Sequence, residues 1–305
     1  MLKQLVTEYL TIRRALGFEL HDPERMLNDF AAFAKARGES HVLAATAIEW
    51  AAKGGTVGVR HHRLQCVALF ARHVRAEDPR HEVPSNRVFP AVPRQLVPHI
   101  YTDDEARRLI AAADTLGPPS SMRVVTAQTF FALLFATGMR ISEALALDID
   151  DITPEGLLIR RTKFQKTRVI PLHETAREGL ARYLERRRPV GTPPPSLFLG
   201  FRGGRLAENS AHTIFWKMRK AAGLEKPPGQ AQARVHDIRH TFAVRALESC
   251  PDGRERIAQH MLALTTYLGH THVADTYWYL QATPRLMRDI ADRVRSVFGN
   301  DGGRR

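Results

Sequence analysis

The sequence predicts a mainly α-helical protein that carries a small antiparallel β-sheet and is built as two domains. Three observations predict it. Apolar residues recur at helical spacing through most of the 305 residues. Two short apolar, β-branched runs flank a polar turn, which reads as a hairpin. Prolines crowd residues 84–99 between two helical regions, where they interrupt any helix and favour an extended connector.

Residues 1–83 read as four helices. Leu2, Leu5, Tyr9 and Leu10 form an apolar stripe that ends at Gly17, and Met26, Phe30, Phe33 and Ala34 continue the pattern in a second helix stopping near Gly38. A short third helix spans Ala44 to Ala52 and closes at Gly54-Gly55. A fourth runs from Val57 to Ala76, with Leu64, Val67, Ala68 and Ala71 inward and Arg60, Arg63, Arg72 and Arg75 alongside. Four helices of this size make a small bundle whose basic side suits either a duplex or plain solvation.

After the linker, Thr102-Asp103-Asp104-Glu105 matches a capping box and opens a helix reaching about Ala113. Val124 to Thr137 is apolar enough to be a buried helix, ending at Gly138, and 141–147 reads as a further short helix. Leu157–Arg161 and Arg168–Leu172 supply the hairpin. Beyond Glu174 the chain is mainly helical, with breaks near 189–203 and 227–232. Pro284 and the spacing of Leu286, Ile290, Val294 and Val297 predict a last helix, so the second domain is expected over 100–298 with a tail at 299–305.

Composition narrows the function. With 44% hydrophobic and 25% charged residues the chain is neither disordered nor fibrous. No apolar run is long enough to cross a bilayer, and the N-terminus lacks a signal-peptide core, so a cytoplasmic protein without a membrane partner is expected. Lys and Arg total 45 against 32 Asp and Glu, and 37 of the 45 are arginine. A net charge of +13 carried by planar guanidiniums favours a polyanionic partner, nucleic acid first. Cys66 and Cys250 offer neither a disulfide framework nor a cysteine metal site.

Four motifs in the second domain carry reactive side chains. Thr137-Gly138-Met139-Arg140-Ile141-Ser142-Glu143 sets an arginine after a glycine at a helix junction, with a carboxylate three residues on. Thr162-Lys163-Phe164-Gln165-Lys166 puts two of only eight lysines in the hairpin turn. His236-Asp237-Ile238-Arg239-His240 places His236, Arg239 and His240 on one helical face. Leu268-Gly269-His270 is followed nine residues later by Tyr279. Taken singly, each has an ordinary structural explanation: a surface ion pair, a soluble hairpin tip, packed histidines, a core aromatic beside Tyr277 and Trp278.

Taken together, Arg…Lys…His-x-x-Arg…His…Tyr in this order and spacing resembles the tyrosine recombinases of phages, transposons and the Xer type. The resemblance covers most of the chain and extends to the flanks Thr-Gly-Met-Arg-Ile-Ser-Glu, His-Asp-Ile-Arg-His-Thr-Phe-Ala and Tyr-Leu-Gly-His. It implies that 1–83 is a helical core-binding domain of the SAM-like type and that 100–298 is the catalytic domain. It further implies that Tyr279 attacks a DNA phosphate to form a 3′-phosphotyrosyl link, and that Arg140 and Arg239 clamp the non-bridging oxygens in place of metal ions. On the same ground Lys163 protonates the leaving 5′-oxygen, His236 acts as general base and His270 donates to the phosphate, with Glu143 orienting Arg140 and His240 supporting the His236–Arg239 helix. The register with Arg168-Val169-Ile170-Pro171-Leu172 favours Lys163 over Lys166, and the interval from His270 selects Tyr279 over Tyr277. No cofactor is implied. The implied partners are duplex DNA carrying inverted-repeat sites and further recombinase protomers, two on one site and four in a synapse, joined through the C-terminal helix and drawn from this chain or related ones. A nucleoid-associated bacterial protein of a mobile element is the expected setting, and 272–280 looks like transposon recombinases.

Two other classes compete. A metal-dependent hydrolase could use His236 and His240, but Asp237 is shorter than the glutamate of His-Glu-x-x-His and Arg239 repels a cation. A DNA-binding protein without catalysis would not need all of these residues. Charge alone makes a prediction: if the basic excess meets phosphates, log K for duplex binding falls linearly with log salt at ~0.9 per phosphate contact, for a slope of several units. A flat titration would remove the argument from charge.

Overall fold

The computed structural model describes residues 1–90, 97–160, 167–187, 195–227, 229–249 and 254–269. Lys163, Lys166, Cys250, His270, Tyr277, Tyr279, the helix expected after Pro284 and the tail at 299–305 therefore lie outside the described residues. The chain divides into two compact units, Met1–Leu96 and Val97–Arg305.

The first unit holds α1 (Leu2–Ala15), α2 (His21–Ala36), α3 (Ala44–Ala52) and α4 (Val57–Arg75). Helix α2 starts earlier than its apolar pattern suggests, because its first turn is polar; Asp22 and Glu24 there oppose the positive end of the helix dipole. Val6, Leu27, Phe30, Trp50, Leu64, Val67 and Phe70 are buried as one core, with the Phe30 and Trp50 rings edge to face at 5.5 Å. The indole N–H of Trp50 donates to Asp29 at 2.9 Å.

Two of the four arginines that the sequence sets on a basic face are engaged inside this unit. Arg63 lies 4.5 Å over the Trp50 ring and donates to Asp29 at 3.1 Å, while Arg60 donates to the Gly54 carbonyl at 2.8 Å. Arg72 and Arg75 are exposed. The chain after α4 straps back onto the start of α3: the Val42 N–H donates to His81 Nδ1 at 3.0 Å, and the Ala44 N–H to the Glu82 carboxylate at 2.7 Å. Cys66 is buried, and burial pushes its thiol up to about 11.

The second unit opens with α5 (Asp103–Ala111), whose capping box is formed on both sides: the Glu105 N–H donates to Thr102 Oγ1 at 3.2 Å and the Thr102 N–H to Glu105 Oε2 at 2.9 Å. A 3₁₀ turn, Ala112–Leu116, completes the stretch that reads as one helix in sequence. Helix α6 (Met122–Thr137) is the centre of the unit and packs against α5, α8 (Glu174–Arg187) and α10 (His236–Glu248). Its apolar character all round follows from that position. Phe130, Phe131, Tyr183, Phe198 and Leu134 are buried around it.

The sheet has three antiparallel strands in the order β1 (Ile152–Thr153), β2 (Gly156–Ile159) and β3 (Arg168–Ile170). Strand β1 is an addition to the hairpin expected from sequence, since two residues cannot show a period. β2 and β3 pair Leu157 with Ile170 and Ile159 with Arg168, which closes the base of the turn carrying Lys163. Helices α7 (Ile141–Ala146), α9 (Glu208–Ala221) and α11 (Arg254–Leu268) complete the unit. Among the described residues no helix is long and apolar enough to cross a membrane.

The turn from α6 to α7 rests on Gly138, at φ +59°, the left-handed region that glycine enters without strain. A Cβ there would stand 2.4 Å from the Phe242 ring, which is stacked at 5.4 Å on Tyr267. Gly138→Ala is expected to cost more than the ~1–2 kcal/mol of a left-handed non-glycine residue alone, because the Phe242 side chain must also shift off its stacking partner. Chemical denaturation of the full chain measures it; a cost near zero would mean that the turn rebuilds.

Candidate active site

Arg140 stands at the N-cap of α7, immediately after the Gly138 turn. Its backbone N–H and its guanidinium both donate to Glu143, at 2.9 and 2.8 Å, so the first turn of the helix holds the arginine at two points. Arg239 lies in the first turn of α10 and is 3% exposed. It donates from Nη1 to the Gly138 carbonyl at 2.9 Å and from Nη2 to the Leu268 carbonyl at 2.6 Å. Arg140 Nη2 donates to the next carbonyl along, Gly269, at 3.0 Å.

Two guanidiniums are thus moored to consecutive peptide groups at the end of α11. Gly138 and Leu268 stand at the C-terminal ends of α6 and α11, where carbonyls lack helical partners and the helix dipole is negative. Both features favour a cation. Gly269, at φ +66°, makes the close approach possible: a Cβ there would sit 2.8 Å from Arg168 Nη1 and 3.6 Å from Arg140 Nη1.

Glu143, 8% exposed, also takes a second cation. Arg168 donates from Nη1 to Oε1 at 3.1 Å and from Nη2 to Oε2 at 2.8 Å. Burial alone would raise the Glu143 carboxyl; the hydrogen bonds from Arg168 and from the Arg140 N–H and guanidinium outweigh it and hold the group below its ordinary value. Sequence reasoning reads Arg168 only as a strand residue. The available signal was its phase: it shares the inward face of β3 with buried Ile170, while Val169 between them is exposed. Tyr267, the first letter of the Tyr-Leu-Gly-His flank, is given no role by sequence reasoning. Its hydroxyl donates to the Thr137 carbonyl at 3.0 Å, and burial pushes it up to about 12.

His236 is the first residue of α10 and reaches solvent, with its ring edge-on to His240 at 4.6 Å. Protein packed against part of the ring, then Arg239, Arg234 and Arg140, hold it below the ordinary histidine value, which favours its neutral form. His240 is buried behind it. Burial, with His236, Arg234 and Arg239 adding to it, lowers His240 to about 4. Asp237, between them in sequence, is buried and paired with Arg234 at 2.9 Å.

The structure therefore brings Arg140, Glu143, Arg239, His236 and His240 to one place, with the Leu268-Gly269 turn that precedes His270. Arg140, Arg168 and Arg239 against one carboxylate leave an excess of positive charge suited to a phosphodiester. A hydrolytic metal at His236 and His240 finds three arginines around it and its nearest carboxylate already engaged. Among the described residues, one group has metal-ligand spacing: His41, Asp78 and His81 in the first unit. Two of its three members are already engaged within the unit, since His81 Nδ1 accepts the Val42 N–H and Asp78 takes Arg80 at 2.8 Å.

Burial of His240 gives stability a pH dependence. Its native value of about 4 lies below the 6.5 of a free histidine, so on acidification the unfolded chain takes the proton first. The contribution is complete above pH 6.5 and is lost as pH falls toward 4. Thermal melts across that window should show a falling Tm, and His240→Asn should flatten the fall. An unchanged slope in the variant would place the acid sensitivity elsewhere.

The description of the family model that matches residues 100–285 is "Phage integrase family". A protein of Sinorhizobium fredii named "Putative integrase/recombinase y4rB" is 36% identical over 304 residues, 96% of either chain. Tyrosine recombinase XerD of Mycobacterium tuberculosis is 33% identical over 208 residues, 67% of this chain and 63% of that protein. Among solved structures, the Tn1549 transposon integrase in complex with transposon right end DNA superposes with a TM-score of 0.64 at 15% identity, covering 98% of this chain and 99% of that one. A lambda integrase dimer bound to a core site gives a TM-score of 0.63 at 18% identity over 93% and 78% of the two chains, which speaks to the fold. With the family model spanning more than half of the chain and a relative alike along nearly its whole length, this chain belongs to the phage integrase family and is a tyrosine-type site-specific recombinase.

Proposed function

We propose that the chain cuts and rejoins duplex DNA with Tyr279 as nucleophile and Arg140 and Arg239 as the phosphate clamp. The observation that supports this most directly is the mooring of both guanidiniums on the consecutive carbonyls of Leu268 and Gly269, one residue before His270. In the proposed step the Tyr279 oxygen attacks phosphorus and the bond to the 5′-oxygen breaks. His236 takes the phenolic proton, Lys163 gives one to the leaving 5′-oxygen, and His270 donates to the phosphoryl group. The ester keeps the bond energy, so a 5′-hydroxyl from another strand reverses the step without a nucleotide cofactor or metal. Glu143 orients Arg140, and His240 backs His236.

In this reading residues 1–83 grip the duplex, 84–99 form the linker and 100–298 carry the chemistry. Two protomers on an inverted-repeat site and four in a synapse, linked by the C-terminal helix, are the proposed assembly. Lambda integrase, alike in fold, has been solved as a dimer bound to a core site and as a tetramer bound to a Holliday junction. The match to a transposon integrase favours a mobile element acting at the bacterial nucleoid.

The test is a duplex nicked just downstream of the scissile phosphate. The wild-type chain should trap a covalent adduct that survives boiling in detergent and is indifferent to EDTA. Tyr279→Phe should trap none and Tyr277→Phe should trap as usual; reversed roles would move the nucleophile by two residues, and an adduct in both would refute it. Arg140→Lys keeps the charge and loses the fork, so cleavage should drop by orders of magnitude with duplex affinity little changed.

A further inference from the structure

We propose that Arg168 is a positioning residue for strand cleavage: it sets the Lys163-bearing hairpin in register with Arg140 through their shared carboxylate, Glu143. The inference rests on the roles proposed above for Arg140 and Lys163. Three observations carry it. The backbone of Arg168 pairs with Ile159, so this residue closes the base of the turn in which Lys163 lies five positions upstream. Its side chain, 14% exposed, grips both oxygens of Glu143 in a fork-to-fork geometry, and the same carboxylate holds Arg140 at two points. The guanidinium also fills the space over Gly269 that a Cβ would need, so it packs directly on the turn whose carbonyl holds Arg140.

One carboxylate is therefore the common reference for two segments distant in sequence. A simple stabilising ion pair would need only one arginine. Here a second arginine, on the other segment, occupies the remaining lone pairs, so displacement of the hairpin base is felt at the Arg140 guanidinium.

The experiment uses the full chain with Arg168→Met and Arg168→Lys, and the trapping duplex in two forms: an ordinary scissile phosphodiester and one whose bridging 5′-oxygen is replaced by sulfur. A 5′-thiolate leaves without a proton, so the sulfur substrate does not need Lys163. Both variants should bind duplex within about twofold of wild type, and Arg168→Met should cleave the ordinary duplex about tenfold or more slowly. Arg168→Lys should fall between, because it keeps the charge and loses the fork. The loss should be clearly smaller on the sulfur substrate. Equal losses on the two substrates would overturn the proposal, since a general brace slows both alike, and so would an undiminished rate on the ordinary duplex.

If Arg168→Met does not fold, judged by its melt, Arg168→Lys alone carries the same two-substrate comparison. A double variant with Glu143→Gln should be no slower than the worse single variant, as expected for residues acting through one contact; additive losses would contradict it. Tyr279→Phe run alongside separates the two levels of argument. An adduct formed by that variant would refute the catalytic reading itself, whereas its absence together with unaffected Arg168 variants would refute only the positioning role.

Discussion

The Glu143 carboxylate, withdrawn from water and shared by Arg140 and Arg168, is the contact around which the catalytic unit is arranged. A buried charge is costly unless it is paired and its lone pairs are satisfied. Here both conditions are met by Arg140 and Arg168, which together satisfy both carboxylate oxygens. The backbone N–H of Arg140 adds a third donor and ties the pair to the start of α7. Because the acceptor is shared, the arginines hold each other at a fixed spacing although like charges repel. The polar centre of the unit is thereby ordered before any DNA arrives, which is the condition for electrostatic catalysis without reorganisation.

Around that centre the fold supplies helix ends more than side chains. α6 ends at Gly138 and α11 at Leu268, and each offers its terminal carbonyl to Arg239. Arg239 is placed beside them because α10 starts three residues earlier, where the Arg234–Asp237 pair ties its first turn to the preceding chain. Thr241, one turn beyond Asp237, fastens this helix to the start of the unit by accepting the Tyr101 N–H at 3.0 Å. The first unit uses its charge differently. Arg63 and Arg60 serve its own packing, and Arg72 and Arg75 stay at the surface, so formal charge overstates what that bundle presents to an outside partner.

Much of the fold was legible because helical periodicity is written directly in side chains. α3 was read with its observed bounds, α4 and α6 to within two residues, and the Thr102 capping box was readable from two letters. What escaped has physical causes. The start of α2 is polar, β1 is too short to have a period, and Ser196 and Leu199 make single bridges in a stretch that reads as a break. At the site, Arg140, Glu143, Arg239, His236 and His240 could be grouped from spacing and family likeness. The carbonyls that moor the arginines could not, since a backbone oxygen has no letter of its own. Arg168 was hidden by its company: in a run of strand residues, a cation pointing inward shows itself only once the partner across the unit is known. The engagement of Arg63 is of the same kind, its partner Asp29 being 34 residues away.

The two arginines at the end of α11 hang from one turn of one helix. Opening of the last turn of α11 would take the acceptors of Leu268 and Gly269 away in a single event. Sub-global opening of this kind costs less than global unfolding and takes place in native proteins at equilibrium. Each arginine keeps another anchor, Arg140 on Glu143 and Arg239 on the Gly138 carbonyl, so such an opening would loosen both at once without releasing either. A change that frays this helix end anywhere along its final turn, without touching either arginine, would therefore weaken the hold on both together.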